Sequence, residues 1–232
     1  MTPVEQAGPV VHWGMWMLVV GVAAGWVTAL WRAGGPRWGA LAAVFLLGWA
    51  GLTGALAASG MLLNTALRPP PFVVLLVVIL GTGLGVGLSA LGQRLVAAFP
   101  LWALIAVQGF RFPLELVMHQ AASERVMPVA MTWTGYNLDI VTGVLACVLA
   151  PLVASGKAPR VLVTAWNVWG FVALAIIAVV AMATSPMMRA LGEDQVNTWV
   201  TFVPYIWLPT LLVPTALAGH ILVARKLKAQ SH

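Results

Sequence analysis

Long apolar runs separated by short polar punctuation fill the chain from end to end. The windows 11–31, 38–59, 72–92, 99–122, 136–155, 160–184 and 199–224 each hold about 20 mostly apolar residues, enough for a helix at ~1.5 Å per residue to cross a ~30 Å hydrocarbon core. The pattern predicts an all-α, polytopic integral membrane protein of seven transmembrane helices. The connections are short, so residues 1–232 read as a single transmembrane domain with no inserted soluble unit. Only the 60–71 loop, ending in Arg68-Pro69-Pro70-Pro71, and the 185–198 loop have room for structure of their own.

Two spans carry unusual internal patterns. Gly81, Gly83, Gly85 and Gly87 in span three form interleaved small-xxx-small pairs that let a partner helix approach closely. Pro204, Pro209 and Pro214 recur every five residues in span seven, each removing a backbone donor. A helix interrupted in this way either lines a cavity or keeps a static kink that shapes packing.

Composition sharpens the membrane reading. Hydrophobic residues make up 61% of the 232 and charged residues 8%, against about 25% charged in soluble domains. The net charge of +6 then reflects topology, and no basic stripe with interleaved aromatics suggests nucleic acid as a partner. With the N-terminus outside, Arg32, Arg37, Arg94, Lys157, Arg160, Arg225, Lys226 and Lys228 fall inside, and only Arg68, Arg125 and Arg189 fall outside. Glu5, Glu124, Glu193 and Asp194 fall outside as well. The bias predicts N-out/C-in in a cell membrane. Residues Met1 to Gly14 lack a basic n-region, so the first apolar run is expected to stay in the mature protein. Trp13, Trp16, Trp133 and Trp199 flank outer span ends, and Trp31, Trp38 and Trp102 flank inner ends. Trp26, Trp49 and Trp207 lie deeper and are expected to pack between helices. The single cysteine, Cys147, excludes an intrachain disulfide and a multi-thiolate metal site.

The candidate chemistry sits in spans four and five. Arg111, Glu115 and His119 follow one another at helical four-residue spacing, stacking on one face. Counted from Phe99, Arg111 falls about 18 Å into the membrane, Glu115 about 24 Å and His119 about 30 Å. Span five returns from the outside, which puts Asp139 at the depth of Glu115, with Asn137 beside it and Tyr205 of span seven at a similar level. An outer-half layer of Glu115, His119, Asn137, Asp139 and Tyr205, with Arg111 below, is the candidate site, since ionisable groups in hydrocarbon are functional by default. Pairing of Arg111 with Glu115 one turn away is expected, leaving Asp139 without an evident counter-ion.

Three readings of this layer stand side by side. It can be polar glue between helices. It can exchange protons, since neighbouring carboxylates and an imidazole titrate as a coupled set. It can hold a metal through Glu115, His119 and Asp139, although one imidazole with two carboxylates is a weak ligand set. A partnership of His12 with His119 around a haem or metal is weaker still. Asn167, between Trp166 and Trp169, is expected to bond a neighbouring helix. His220 is expected at the inner interface, and Arg225, Lys226 and Lys228 form the ordinary inner cationic cluster. Covalent retinal is excluded, because no lysine lies within span seven. The motifs of G-protein-coupled receptors are also absent.

The stretches Arg111-Phe112-Pro113-Leu114-Glu115 with His119, Met131 to Ile140 (through Thr132, Trp133, Thr134, Gly135, Tyr136, Asn137, Leu138 and Asp139), and Leu208 to Pro214 with Gly219-His220 resemble an uncharacterised group of bacterial seven-helix membrane proteins. The resemblance covers the C-terminal half and implies a seven-helix bacterial membrane protein without assigning an activity; an inner-membrane location is expected from the spans. Three functions fit the sequence. One is proton-coupled transport, channel or ligand sensing through the outer-half cluster. Another is an intramembrane enzyme using Glu115 or Asp139 on a lipid or isoprenoid. The last is a non-catalytic subunit or scaffold of a membrane complex.

Overall fold

The computed structural model describes residues 7–64 and 66–230. Glu5 lies outside them. The described residues form helices and turns with no strand. The helices are α1 (Pro9–Gly34), α2 (Pro36–Ala58), α3 (Pro71–Leu88), α4 (Ala90–Ala98), α5 (Leu101–Val107), α6 (Arg111–Ser123), α7 (Asp139–Ala154), α8 (Arg160–Ala183) and α9 (Val213–Ala229). A 3-10 turn, Gln108–Phe110, joins α5 to α6, so Leu101–Ser123 runs as one path. Six helical stretches are long and apolar enough to cross a membrane, and α7, with 16 residues, is a shorter apolar helix. The fold is that of a helical membrane protein.

Proline opens several of these helices. It occupies the first turn of α1, α2 and α3, where its missing N–H is no loss. The carboxylate of Glu124 closes the start of α1 by accepting from Gly8 N at 2.7 Å, and a carboxylate suits a helix N-terminus. The basic residues near the end of α9 finish other helices. Arg225 Nη1 donates to the Gly87 and Ser89 carbonyls, its Nη2 reaches Gln93, and Lys226 donates to Val96 O. These cations satisfy carbonyls at the ends of α3 and α4, which would otherwise be orphaned.

The helix α9 is the hub. It packs on α3, α4, α5 and α8, and its membrane window is 72% buried where that of α1 is 17%. Gly83 and Gly87 explain the closeness of α3 and α9, since a Cβ on either would press into Leu217 or Ile221. Gly81 and Gly85 face open space. The core divides into two apolar clusters. One holds Met15, Leu114, Met118, Trp199, Ile206 and Leu212; the other holds Leu95, Ile105, Leu149, Trp166 and Val223. Arg111 of α6, Asn167 of α8 and Thr215 and His220 of α9 fall between the two clusters along their helices.

The structure corrects two span boundaries. Residues 199–207 are turns rather than helix, with a 3-10 turn at Trp199–Thr201, and the final path becomes helical only at Leu208. Pro204 therefore lies before the helix, while Pro209 sits in a π-helical turn, Leu208–Leu212. Pro214 has no N–H to offer the Thr210 carbonyl, and Trp49 Nε1 donates to it instead, at 2.8 Å. Trp207 donates to Ala50 O and Trp26 to Thr215 Oγ1, so the three deep tryptophans tie α1 and α2 to the final path. The second correction concerns the link between α6 and α7. It carries a 3-10 turn, Val129–Met131, and buried side chains, because α7 starts at Asp139 and not near Tyr136.

Candidate functional site

The centre of the molecule is Arg111, only 1% exposed at the middle of the Leu101–Ser123 path. Its guanidinium bonds through all three nitrogens. Nε donates to Asp139 Oδ2 at 2.9 Å and Nη2 to Asp139 Oδ1, a two-point grip on the carboxylate. Nη1 donates to His220 Nε2 at 2.7 Å. A guanidinium only donates, so Nε2 accepts and the ring hydrogen resides on Nδ1, which donates to Asn167 Oδ1 at 2.9 Å. The result is a continuous chain, Asp139–Arg111–His220–Asn167, across α7, α6, α9 and α8.

Small residues make the chain possible. Gly143, one turn into α7, lies against the Arg111–Phe112 backbone so closely that a Cβ would overlap it. That approach brings Asp139 opposite Arg111. A Cβ at Gly170 would overlap the His220 ring, and one at Gly219 would overlap the Gln108 amide. Gln108 Nε2 donates to Ala216 O at 3.2 Å, and its Oε1 has no partner.

The partner of Arg111 differs from the one its helix position suggests. Glu115 lies one turn along the same helix, yet Arg111 turns to Asp139. Several residues of 124–138 are buried ahead of α7, and the contact of Gly143 with the Arg111–Phe112 backbone sets the start of α7 beside Arg111, so Asp139 meets the guanidinium. Asp139 thus has a full ion pair, and among the described residues no cation pairs with Glu115. Glu115 Oε1 accepts from Asn137 Nδ2 at 2.7 Å, and Oε2 has no partner although the residue is only 1% exposed. Asn137 fixes the neighbourhood. Its Nδ2 also donates to Met131 O, and its Oδ1 accepts from Asp139 N at 3.0 Å, closing the first turn of α7.

Four of the six candidate residues are therefore brought together: Arg111, Glu115, Asn137 and Asp139. The other two are not. His119 stacks on Trp133, ring centroids 4.3 Å apart, and its Nδ1 has no partner. Tyr205 packs against Trp199 at 4.7 Å, and its hydroxyl has no partner. Glu115, His119 and Asp139 consequently do not converge. Among the described residues no group of three or more His, Cys, Asp or Glu is placed to hold a metal. The expectation for His220 is reversed: it is fully buried at the centre of the bundle. Asn167 bonds a neighbouring helix as expected. Gln108 escapes a reading by charge, although its place three residues before Arg111 puts it on the same helical face.

Residues 68–228 match the family described as a domain of unknown function, DUF8737. The chain belongs to that family. The matched segment includes every residue of the polar chain and starts after α1 and α2, which pack around it. No curated protein and no solved structure matches the chain.

Proposed function

We propose that this protein is a seven-span, N-out/C-in protein of a bacterial inner membrane that couples a proton or small cation, loaded at Glu115, to transport, channel opening or ligand sensing. Eight Lys and Arg at one set of helix ends against three at the other support the orientation. The helix α7 covers about 24 Å by itself, and the turns of 129–138 complete its crossing.

The observation that carries the coupling reading is Glu115 itself, a carboxyl group sealed in the bundle with one oxygen on Asn137 and the other without a partner. A proton or a cation supplies what that oxygen lacks. The ion pair one turn away holds the surrounding helices in place whichever form Glu115 takes. The enzyme reading needs an apolar route to the carboxylates. The cavity beside α1 follows Phe110, Pro113 and Val117, and neither Glu115 nor Asp139 lines it. The scaffold reading draws on the continuity of the Asp139–Arg111–His220–Asn167 chain, which gives each nitrogen of the guanidinium one partner.

Infrared difference spectroscopy on reconstituted protein tests the proposal. A carboxyl band that responds to pH steps and to added Na⁺ or K⁺, and that disappears in Glu115→Gln, is the expected result. A response unchanged in Glu115→Gln overturns it. Single cysteines placed at Met187 and Ser155 in a Cys147→Ser background test the orientation, with Met187 the one labelled from outside.

A further inference from the structure

The helix α1 bridges rather than follows the path beside it. At one end it packs on α6, where Gly14 meets Val117, and at the other it packs on α4. Between these supports it stands away from α5. The space left is a groove of about 740 Å³, with Thr215, Gly219 and Leu222 of the final path as its floor. This volume is in the range of built ligand sites, ~300–1,000 Å³.

Its length identifies what it suits. The lining runs along α1 from Gly14 to Arg32 and along the antiparallel path from Val117 back to Phe99. Either run is about 27 Å long, nearly twice the ~15 Å depth of one leaflet. The acyl chains of an ordinary phospholipid reach only half of it. The lining is mostly apolar, with the hydroxyls of Thr28 and Thr215 and the indole of Trp26 along it, and Arg32 at one end is its one charged side chain. Arg32 is exposed and has no hydrogen bond or ion pair among the described residues, whereas neighbouring Arg94 is engaged over the ring of Trp38 at 4.9 Å. No Asp or Glu lies toward that end of the chain's helices, so a second copy packing there brings no carboxylate side chain to Arg32.

We infer that the groove between α1 and the Leu101–Ser123 path binds a polyprenyl phosphate, its phosphate on Arg32 and its single long chain laid across the midplane toward Gly14 and Val117. The groove and Glu115 flank the Leu101–Ser123 path on different faces, so this site stands or falls separately from the coupling reading.

Native mass spectrometry of the full chain in detergent, titrated with undecaprenyl phosphate, undecaprenol and phosphatidylglycerol, tests the inference. Undecaprenyl phosphate is expected to bind best. Arg32→Gln should lower its affinity about fivefold, to the level of undecaprenol. Gly21 and Gly25 border the groove, and a Cβ on either meets nothing within 4 Å. The double variant Gly21→Leu/Gly25→Leu should thus fold and exclude both polyprenyl ligands, while Gly21→Ala/Gly25→Ala retains them. Equal binding of phosphatidylglycerol overturns the inference, as does binding unchanged by Gly21→Leu/Gly25→Leu. A dimer of the wild-type chain that this leucine variant dissociates also overturns it, by giving the groove to a second copy.

Discussion

Asn167 Oδ1 lies 2.9 Å from Nδ1 of His220, and that bond decides what His220 offers to the rest of the core. With its hydrogen committed to Asn167, the ring presents Nε2 as an acceptor to Arg111. Asn167→Ala and His220→Ala should each destabilise the bundle, and the two losses should not add. A double-mutant cycle read by unfolding in mixed detergent micelles should give a coupling of about 1 kcal/mol. A coupling near zero would mean that Asn167 does not orient the ring.

The two acids of the cluster should behave differently. Asp139→Ala strands the Arg111 guanidinium in the interior and should cost about 3–5 kcal/mol in the same unfolding measurement. Glu115→Gln leaves the ion pair intact and retains an oxygen for Asn137, so it should cost no more than about 1 kcal/mol. If the two costs are reversed, the pairing is with Glu115.

Gly170 makes room for the imidazole. Gly170→Ala should destabilise by about 1–3 kcal/mol through overpacking against His220. Adding His220→Ala should recover part of that loss, as shown by the thermal midpoints of the single and double variants.

Trp49 and Pro214 are linked through one carbonyl. Trp49→Phe should cost about 1 kcal/mol by leaving Thr210 O without a donor. In a Pro214→Ala background the helix provides its own N–H, and Trp49→Phe should then cost less. Equal costs in both backgrounds would show that the tryptophan acts by packing alone.

Much of this architecture can be read from the chain, and the exceptions have physical causes. The apolar windows reveal the helical stretches because hydrocarbon demands continuous apolar segments, and the turns of 199–207 blur one boundary because they are nearly as apolar as the helix they lead into. Arg111, Glu115, Asn137 and Asp139 stand out as polar residues in apolar surroundings. Which of them pair is not local information. It depends on how deeply 124–138 folds before α7 begins, and on Gly143 letting two backbones meet. His220 was expected at the interface because it lies near the inner end of span seven, but Arg225 and Lys226 turn back to finish α3 and α4 and the helix stays buried. The groove depends on a helix standing away from its neighbour, which no periodicity records.

The hub position of α9 also bears on biogenesis. The ribosome releases α9 after every helix it touches, and α9 carries the acceptor for Arg111 Nη1. Until it arrives, α3, α4, α5 and α8 surround an unfilled centre and Arg111 lacks one of its partners. Without α9 the earlier helices cannot bury the faces that meet it. Chains that stop short of α9 should be cleared by membrane proteases, while the complete bundle persists.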